Sequence, residues 1–199
     1  MELKFTGIGA AYYPVLGSNC AFFEHDNCLY LIDCGEIQNM DSVSFCKNVL
    51  DKKVLLAAEE DTIVNILDQS GVHTDKYNFT TDFKECEANG LSIYVKRESH
   101  ATDMLCCGFI FECNGEKIYY SGDTSNVPSD ILNAFLSGEI KTMYQECTFL
   151  DKDSTSHFSL KKLCEIIPYE ERQRVYCMHL GDDIEDDIVK AGFRVPKVV

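Results

Sequence analysis

Short runs of aromatic, β-branched and aliphatic residues recur along the chain, each a few residues long and most closed by Gly, Asp, Asn or Pro. This pattern predicts strands at "ELKFTG", "NCAFFEH", "CLYLIDCG", "KVLLAA", "LSIYVKRE", "LCCGFIFECN", "EKIYYSG", "IKTMYQECTF", "RVYCMHL" and a terminal "FRVPKV". A helical period runs between several of them. "EEDTIVNILDQSGV" places Ile63, Val64, Ile66 and Leu67 together and stops at Gly71. "VPSDILNAFLSG" opens with Pro128 in the first turn and closes on Gly138, and "FSLKKLCEIIP" ends at Pro168. In "GDDIEDDIVKAGF", Ile184, Ile188 and Val189 keep helical spacing while the acids cluster at the helix start, so the charge belongs to a solvated face. Asn114-Gly115 in "NGEK" is the strongest short hairpin signal. Hairpins early and alternating strands and helices later predict an α/β chain: two sheets with helices packed outside them, in one domain over residues 1–199.

Composition narrows the function classes. A chain of 199 residues, 45% hydrophobic and 26% charged, is ordinary for one compact core. No apolar run is long enough to span a bilayer, and "MELKFTGIGAAYYP" lacks a basic region followed by an apolar one, so a cytoplasmic protein without a membrane partner is expected. The formal net charge is −15, and no stretch concentrates lysine and arginine; binding of duplex nucleic acid or tRNA needs the opposite sign. Most of the eleven cysteines sit inside apolar runs such as "NCAFF" and "MLCCGFIFEC", as small buried hydrophobes in a reducing compartment. There is no CxxC pair to suggest a zinc ribbon.

Candidate chemistry lies at the strand ends. Of the five histidines, His25 and His73 read as turn residues. His100, Asp123, Glu146 and His179 all fall at or beside predicted strand ends, and His157 precedes a helix. Imidazole and carboxylate are ligands suited to zinc, manganese or iron, and a strand end is a rigid mount for them. Taken singly, each residue fits a structural or incidental role better than a catalytic one, and Asp123 in "YYSGDTSNVP" fits a turn.

Four segments, in order, resemble the metallo-β-lactamase fold superfamily, in its tRNase Z and cyclic-nucleotide phosphodiesterase branch. The opening "LKFTGIGAAYYPVLGSNCAFFEHDNCLYLIDCGE" resembles its first hairpins, and "SHATDMLCCGFIFECNGEKIYYSGDT" its histidine, hairpin and Gly-Asp-Thr. "YQECTFLDKDSTSHFSL" is similar to the segment with an "EAT"-like triplet and a following histidine, and "VYCMHL" to the last motif. The resemblance implies an αββα sandwich. It implies His100 as a ligand of the first metal, Asp123 as a carboxylate bridging two metals, and His179 as a ligand of the second. Glu146 and His157 match a pair that assists proton transfer to the leaving group. The family's reaction is hydrolysis of a phosphodiester or ester assisted by two metal ions.

The chain departs from that pattern after the first "DCG". Active members carry a His-x-His-x-Asp-His cluster there, whereas no histidine stands between residues 26 and 72 of this chain. Only a short stretch separates "DCGE" from "SFCKNVLDKK", so the sandwich is expected to be truncated by loss of a segment. Asp41 in "NMDSV" reads as a helix cap rather than a remnant ligand.

A catalytic zinc typically keeps three protein ligands and a water, and His100, Asp123 and His179 cannot complete two such sites. The resemblance thus implies a catalytically degenerate protein that binds a partner protein or a nucleotide-like ligand, as an inhibitor or sequestering protein. The alternative is a metal-dependent phosphodiesterase with an atypical site. No cofactor is expected at full occupancy under the first; the alternative implies one zinc or manganese ion. Members of this branch commonly pair, so a homodimer is compatible with either.

Overall fold

The computed structural model describes residues 1–10, 13–26, 28–32, 51–55, 78–80, 86–98, 100 and 106–199. The first sheet contains β1 (Lys4–Gly7), β2 (Cys20–His25), β3 (Cys28–Ile32), β4 (Asp51–Leu55) and β5 (Asn78–Thr80), in that order. Its first three strands are antiparallel, and β4 and β5 continue it in parallel. The second sheet contains β6 (Cys86–Ala88), β7 (Leu91–Glu98), β8 (Cys106–Cys113), β9 (Glu116–Tyr120), β10 (Ile140–Glu146) and β11 (Val175–Met178). Its order is β11-β10-β9-β8-β7-β6, antiparallel from β6 to β9 and parallel from β9 to β11.

Aromatic side chains join the two sheets. Phe5 of β1 lies 5.6 Å from Tyr144 of β10, ring centre to ring centre, and Phe23 of β2 meets the edge of Phe111 of β8 at 5.2 Å. Tyr30 of β3 stacks on Phe23 at 4.7 Å. The same continuous core takes in Ile131 and Phe135 of α1 (Ser129–Leu136), Leu160 and Leu163 of α2 (Leu160–Ile166), and Ile188 of α3 (Glu185–Lys190). Strand β10 is therefore buried at Ile140 and from Met143 to Glu146, although its sequence mixes apolar and polar residues.

Most predicted elements form, with informative differences. Asn114 (φ 53) and Gly115 (φ 77) make the expected left-handed hairpin turn. Asn89 (φ 49) and Gly90 (φ 83) make a second one between β6 and β7, which the strand pattern does not reveal because β6 is so short. The terminal "FRVPKV" forms no strand: Pro196 lacks an N–H, and the backbone makes only isolated bridges from Arg194 to Tyr176 and from Val198 to Phe5. Pro128 stands before the first turn of α1 rather than inside it (φ −55, ψ 140). Ile184 and Ile188 are buried as expected, but Val189 is 61% exposed. The helix expected over 59–72, His73 and Asp41 lie outside the described residues.

Arg172 ties together the helices around β11. Its Nε donates to Ile167 O (3.1 Å), Nη2 to Cys164 O (2.8 Å) and Nη1 to Ala191 O (2.9 Å), so one guanidinium serves carbonyls at the C-terminal ends of α2 and α3. Its guanidinium also lies over the rings of Tyr169 and Phe193. Arg172→Met should destabilise the protein by about 2–4 kcal/mol in urea denaturation, because three carbonyls lose their donor. Arg172→Lys should not restore the loss, since an ammonium cannot span them with the planar fork.

Candidate metal centre

Strands β9, β10 and β11 are parallel, so their C-terminal ends share one edge of the second sheet. Glu146 is the last residue of β10, Asp123 follows β9, and His179 follows β11 directly. This is why acids and histidines scattered along the sequence meet, at the edge where open α/β sheets bind their ligands. The loop before α2 brings His157 to the same edge, and His100 follows the end of β7.

Glu146 is at the centre and has no solvent exposure. Its Oε1 accepts from His157 Nδ1 (2.5 Å) and the Thr148 hydroxyl (2.5 Å), with His179 Nδ1 at 3.6 Å; its Oε2 accepts the Thr124 backbone N–H. Burial pushes its carboxyl up, but hydrogen bonds from His157 and His179, together with their charge, prevail and bring it down to about 2. Asp123 Oδ1 lies 3.1 Å from His179 Nε2. The rings of His157 and His179 stack at 5.7 Å, and His100 meets the His157 ring edge-on at 4.9 Å.

The acceptors assign the imidazole tautomers. His100 Nδ1 lies 2.6 Å from Ser156 O, and a carbonyl only accepts, so Nδ1 carries the proton. His157 Nδ1 donates to the Glu146 carboxylate. The Thr148 hydroxyl lies 3.3 Å from His179 Nδ1, while His179 Nε2 faces Asp123 Oδ1 at 3.1 Å; a carboxylate only accepts, so this Nε2 carries a proton. His100 and His157 thus keep Nε2 as the lone-pair nitrogen, the arrangement that acceptors behind a metal-binding histidine impose, whereas His179 Nε2 holds a proton that an ion would displace.

Among the described residues, Glu146, His157 and His179 place ligand-type atoms within 4.8 Å of one another. Glu146 already commits both oxygens to donors, which leaves Asp123 as the better-disposed carboxylate beside the imidazoles. Nε2 nitrogens and a carboxylate fit zinc or manganese chemically.

His179 has a left-handed backbone (φ 57), unusual for a residue other than glycine. Neighbouring bonds hold it there: Leu180 N–H donates to Ile8 O (2.7 Å), Gly181 N–H to Thr148 O (2.9 Å), and the Thr148 hydroxyl lies 3.1 Å from His179 O. A Cβ on Gly181 would stand 2.5 Å from Thr148 Cγ2 and 3.0 Å from Thr148 O.

Of the sequence candidates, Asp123, Glu146, His157 and His179 come together, and His100 reaches them through His157. His25 is elsewhere, against the Asn89 carbonyl at 3.1 Å. Thr124 and Thr148 were not foreseen as site residues, although they are the third letters of "GDT" and "ECT". Glu98 was not foreseen either. It accepts the Tyr119 hydroxyl (2.5 Å), and its Oε2 lies 3.3 Å from Thr124 Oγ1. Burial raises its pKa to about 7 against these hydrogen bonds. The Thr124 hydroxyl proton has two acceptors, Asn126 O at 2.8 Å and Glu98 Oε2 at 3.3 Å, and a neutral Glu98 can donate to Thr124 Oγ1 when that proton goes to Asn126 O.

Two outcomes follow from these contacts. Gly181→Ala should lower stability by about 1–3 kcal/mol in urea denaturation, because Thr148 must move. Because the folded pKa of Glu98 is raised, its contribution is present below pH 4.5 and is lost as the pH rises to about 7. Relative to Glu98→Gln, the wild type should therefore lose up to about 3 kcal/mol across that window in pH-dependent denaturation.

The chain is similar to known proteins in sequence and in fold. The sequence profile described as "Anti-Pycsar protein Apyc1" matches residues 56–195. An Anti-Pycsar protein Apyc1 of Bacillus phage BSP38 is 33% identical over 97 residues, 47% of this chain and 35% of that protein, so in this match the chain spans only about a third of the relative's length. One of Paenibacillus harenae is 23% identical across 93% of this chain and 92% of its own. That alignment runs over 229 residues, more than the 199 of this chain, so this chain carries gaps within it. Among solved structures, the metallo-β-lactamase fold protein YhfI from Bacillus subtilis superposes with a TM-score of 0.73 at 13% identity, over 98% of this chain and 94% of that one. Human tRNase Z, short form, superposes with a TM-score of 0.62 at 15% identity, over 90% and 93%. With a profile match over more than half of its residues and these structural neighbours, the chain belongs to the Anti-Pycsar Apyc1 family and has the metallo-β-lactamase fold.

Proposed function

We propose that this protein binds a phosphodiester ligand of the cyclic-nucleotide kind at the Asp123–His179 edge, with a single divalent ion, and sequesters it rather than turning it over. One observation carries the proposal. The imidazoles of His100 and His157 have Nδ1 committed to acceptors and Asp123 lies 3.1 Å from His179 Nε2, yet no histidine stands between residues 26 and 72 to supply a second set of ligands. Family membership and the resemblance to cyclic-nucleotide phosphodiesterases support the ligand class.

Asp123, His157 and His179 would hold the ion, with His100 beside His157. Zinc or manganese there would supply the positive charge that a phosphodiester needs on a chain of net charge −15. Glu146 keeps the His157 ring in the tautomer that presents Nε2. Thr148 fixes the backbone that carries His179.

A second reading, metal-dependent hydrolysis, is favoured by the 2.5 Å bond between His157 and Glu146, which keeps a protonated imidazole nitrogen beside a carboxylate of low pKa. Calorimetric titration with cyclic nucleoside monophosphates, beside chromatography of the incubated nucleotide, separates the two. Sequestration predicts binding that a chelator abolishes, that Asp123→Ala weakens at least ten-fold, and that leaves the nucleotide intact. Linear nucleotide formed at a rate that Asp123→Ala abolishes would establish hydrolysis instead.

A further inference from the structure

Behind the Asp123–Glu146 edge lies a polar connection made by Glu98, Tyr119 and Thr124. Thr124 is fully buried in the turn that follows β9. Its backbone N–H donates to Glu146 Oε2, and its hydroxyl donates to Asn126 O (2.8 Å) and accepts the Asn126 N–H (3.2 Å). The remaining direction of that hydroxyl is towards Glu98 Oε2 at 3.3 Å, while Glu98 Oε1 accepts from Tyr119 at 2.5 Å. Asp123 is the residue immediately before Thr124.

We propose that Glu98 is a positioning residue: through Thr124 it fixes the turn so that Asp123 faces His179 and the Thr124 N–H faces Glu146. The inference takes the Asp123–His179 edge to be the functional site, as proposed above. Two features favour positioning over mere core filling. The contact reaches the site through one hydroxyl whose other bonds lock the turn locally, and the adjacent N–H is the donor seen at Glu146 Oε2. Tyr119, by contrast, belongs to the body of β9, and its hydroxyl donates to Glu98.

Those two arms of Glu98 can be separated. Glu98→Gln keeps an oxygen for Tyr119 and supplies an N–H for Thr124. Thr124→Val keeps the backbone N–H but removes the hydroxyl, and Tyr119→Phe removes only the other arm. The readout is solvent exchange of the His157 Nδ1–H proton, followed by NMR in metal-free protein, with zinc affinity measured alongside.

Glu98→Ala and Thr124→Val should each speed that exchange roughly ten-fold, and the double variant no more than either alone. Glu98→Gln and Tyr119→Phe should leave it near the wild-type rate, although Tyr119→Phe lowers Tm. Wild-type exchange in Glu98→Ala with only a lowered Tm, or effects that multiply in the double variant, would overturn the proposal. If Glu98→Ala does not fold, Thr124→Val decides: wild-type exchange there overturns it, and faster exchange supports it. A wild type that binds no zinc but shows the expected exchange pattern would refute the ion reading and leave the positioning role standing.

Discussion

A carboxylate removed from water is costly unless donors surround it, and Glu146 is surrounded on every described side. His157, Thr148 and the Thr124 N–H donate to it, with His179 within reach of the same oxygen. These partners come from the loop before α2, the end of β10, the turn after β9 and the end of β11. Satisfying one buried charge therefore fixes four segments at once. It keeps a proton on His157 Nδ1, and through the Thr124 N–H it holds in place the turn on which Asp123 is mounted. Removing a partner from a buried ion leaves an uncompensated charge, so this cluster tolerates little local change.

The backbone of His179 shows the same constraint. A left-handed histidine at the end of a strand is strained, and strain persists where surrounding contacts over-determine it. Here Thr148 contacts both sides of the turn through its hydroxyl and its carbonyl. Thr148 thus links the strained residue to the buried carboxylate. What the chain retains is the apparatus that orients imidazoles and a carboxylate; what the sequence lacks is the histidine cluster expected after "DCG". The proposed capture of an anionic ligand with one ion accords with a site so divided, since an ion would offset locally the repulsion from a chain of net charge −15.

Much of the fold was legible in the chain because the long strands of the second sheet are rich in β-branched and aromatic residues, "LSIYVKRE" and "CCGFIFEC" being examples. The three-residue strands β5 and β6 were not, since so short a run carries no period. "FRVPKV" carried the right composition, but Pro196 cannot join a ladder. At the site, the strand-end positions of Asp123, Glu146 and His179 were visible, while their convergence was not, because it depends on β9, β10 and β11 running parallel. Glu98, Thr124 and Thr148 stayed hidden for a further reason: their roles come from burial and from where a single hydroxyl proton is directed. Neither leaves a trace in local composition.

The central claim is that the chain holds half of a two-ion site. Anomalous diffraction at the zinc edge, from crystals grown with saturating zinc, tests it most directly. The account predicts one peak beside Asp123 and His179 with Glu146 turned to its donors. Two neighbouring peaks at this edge, or none, would contradict it.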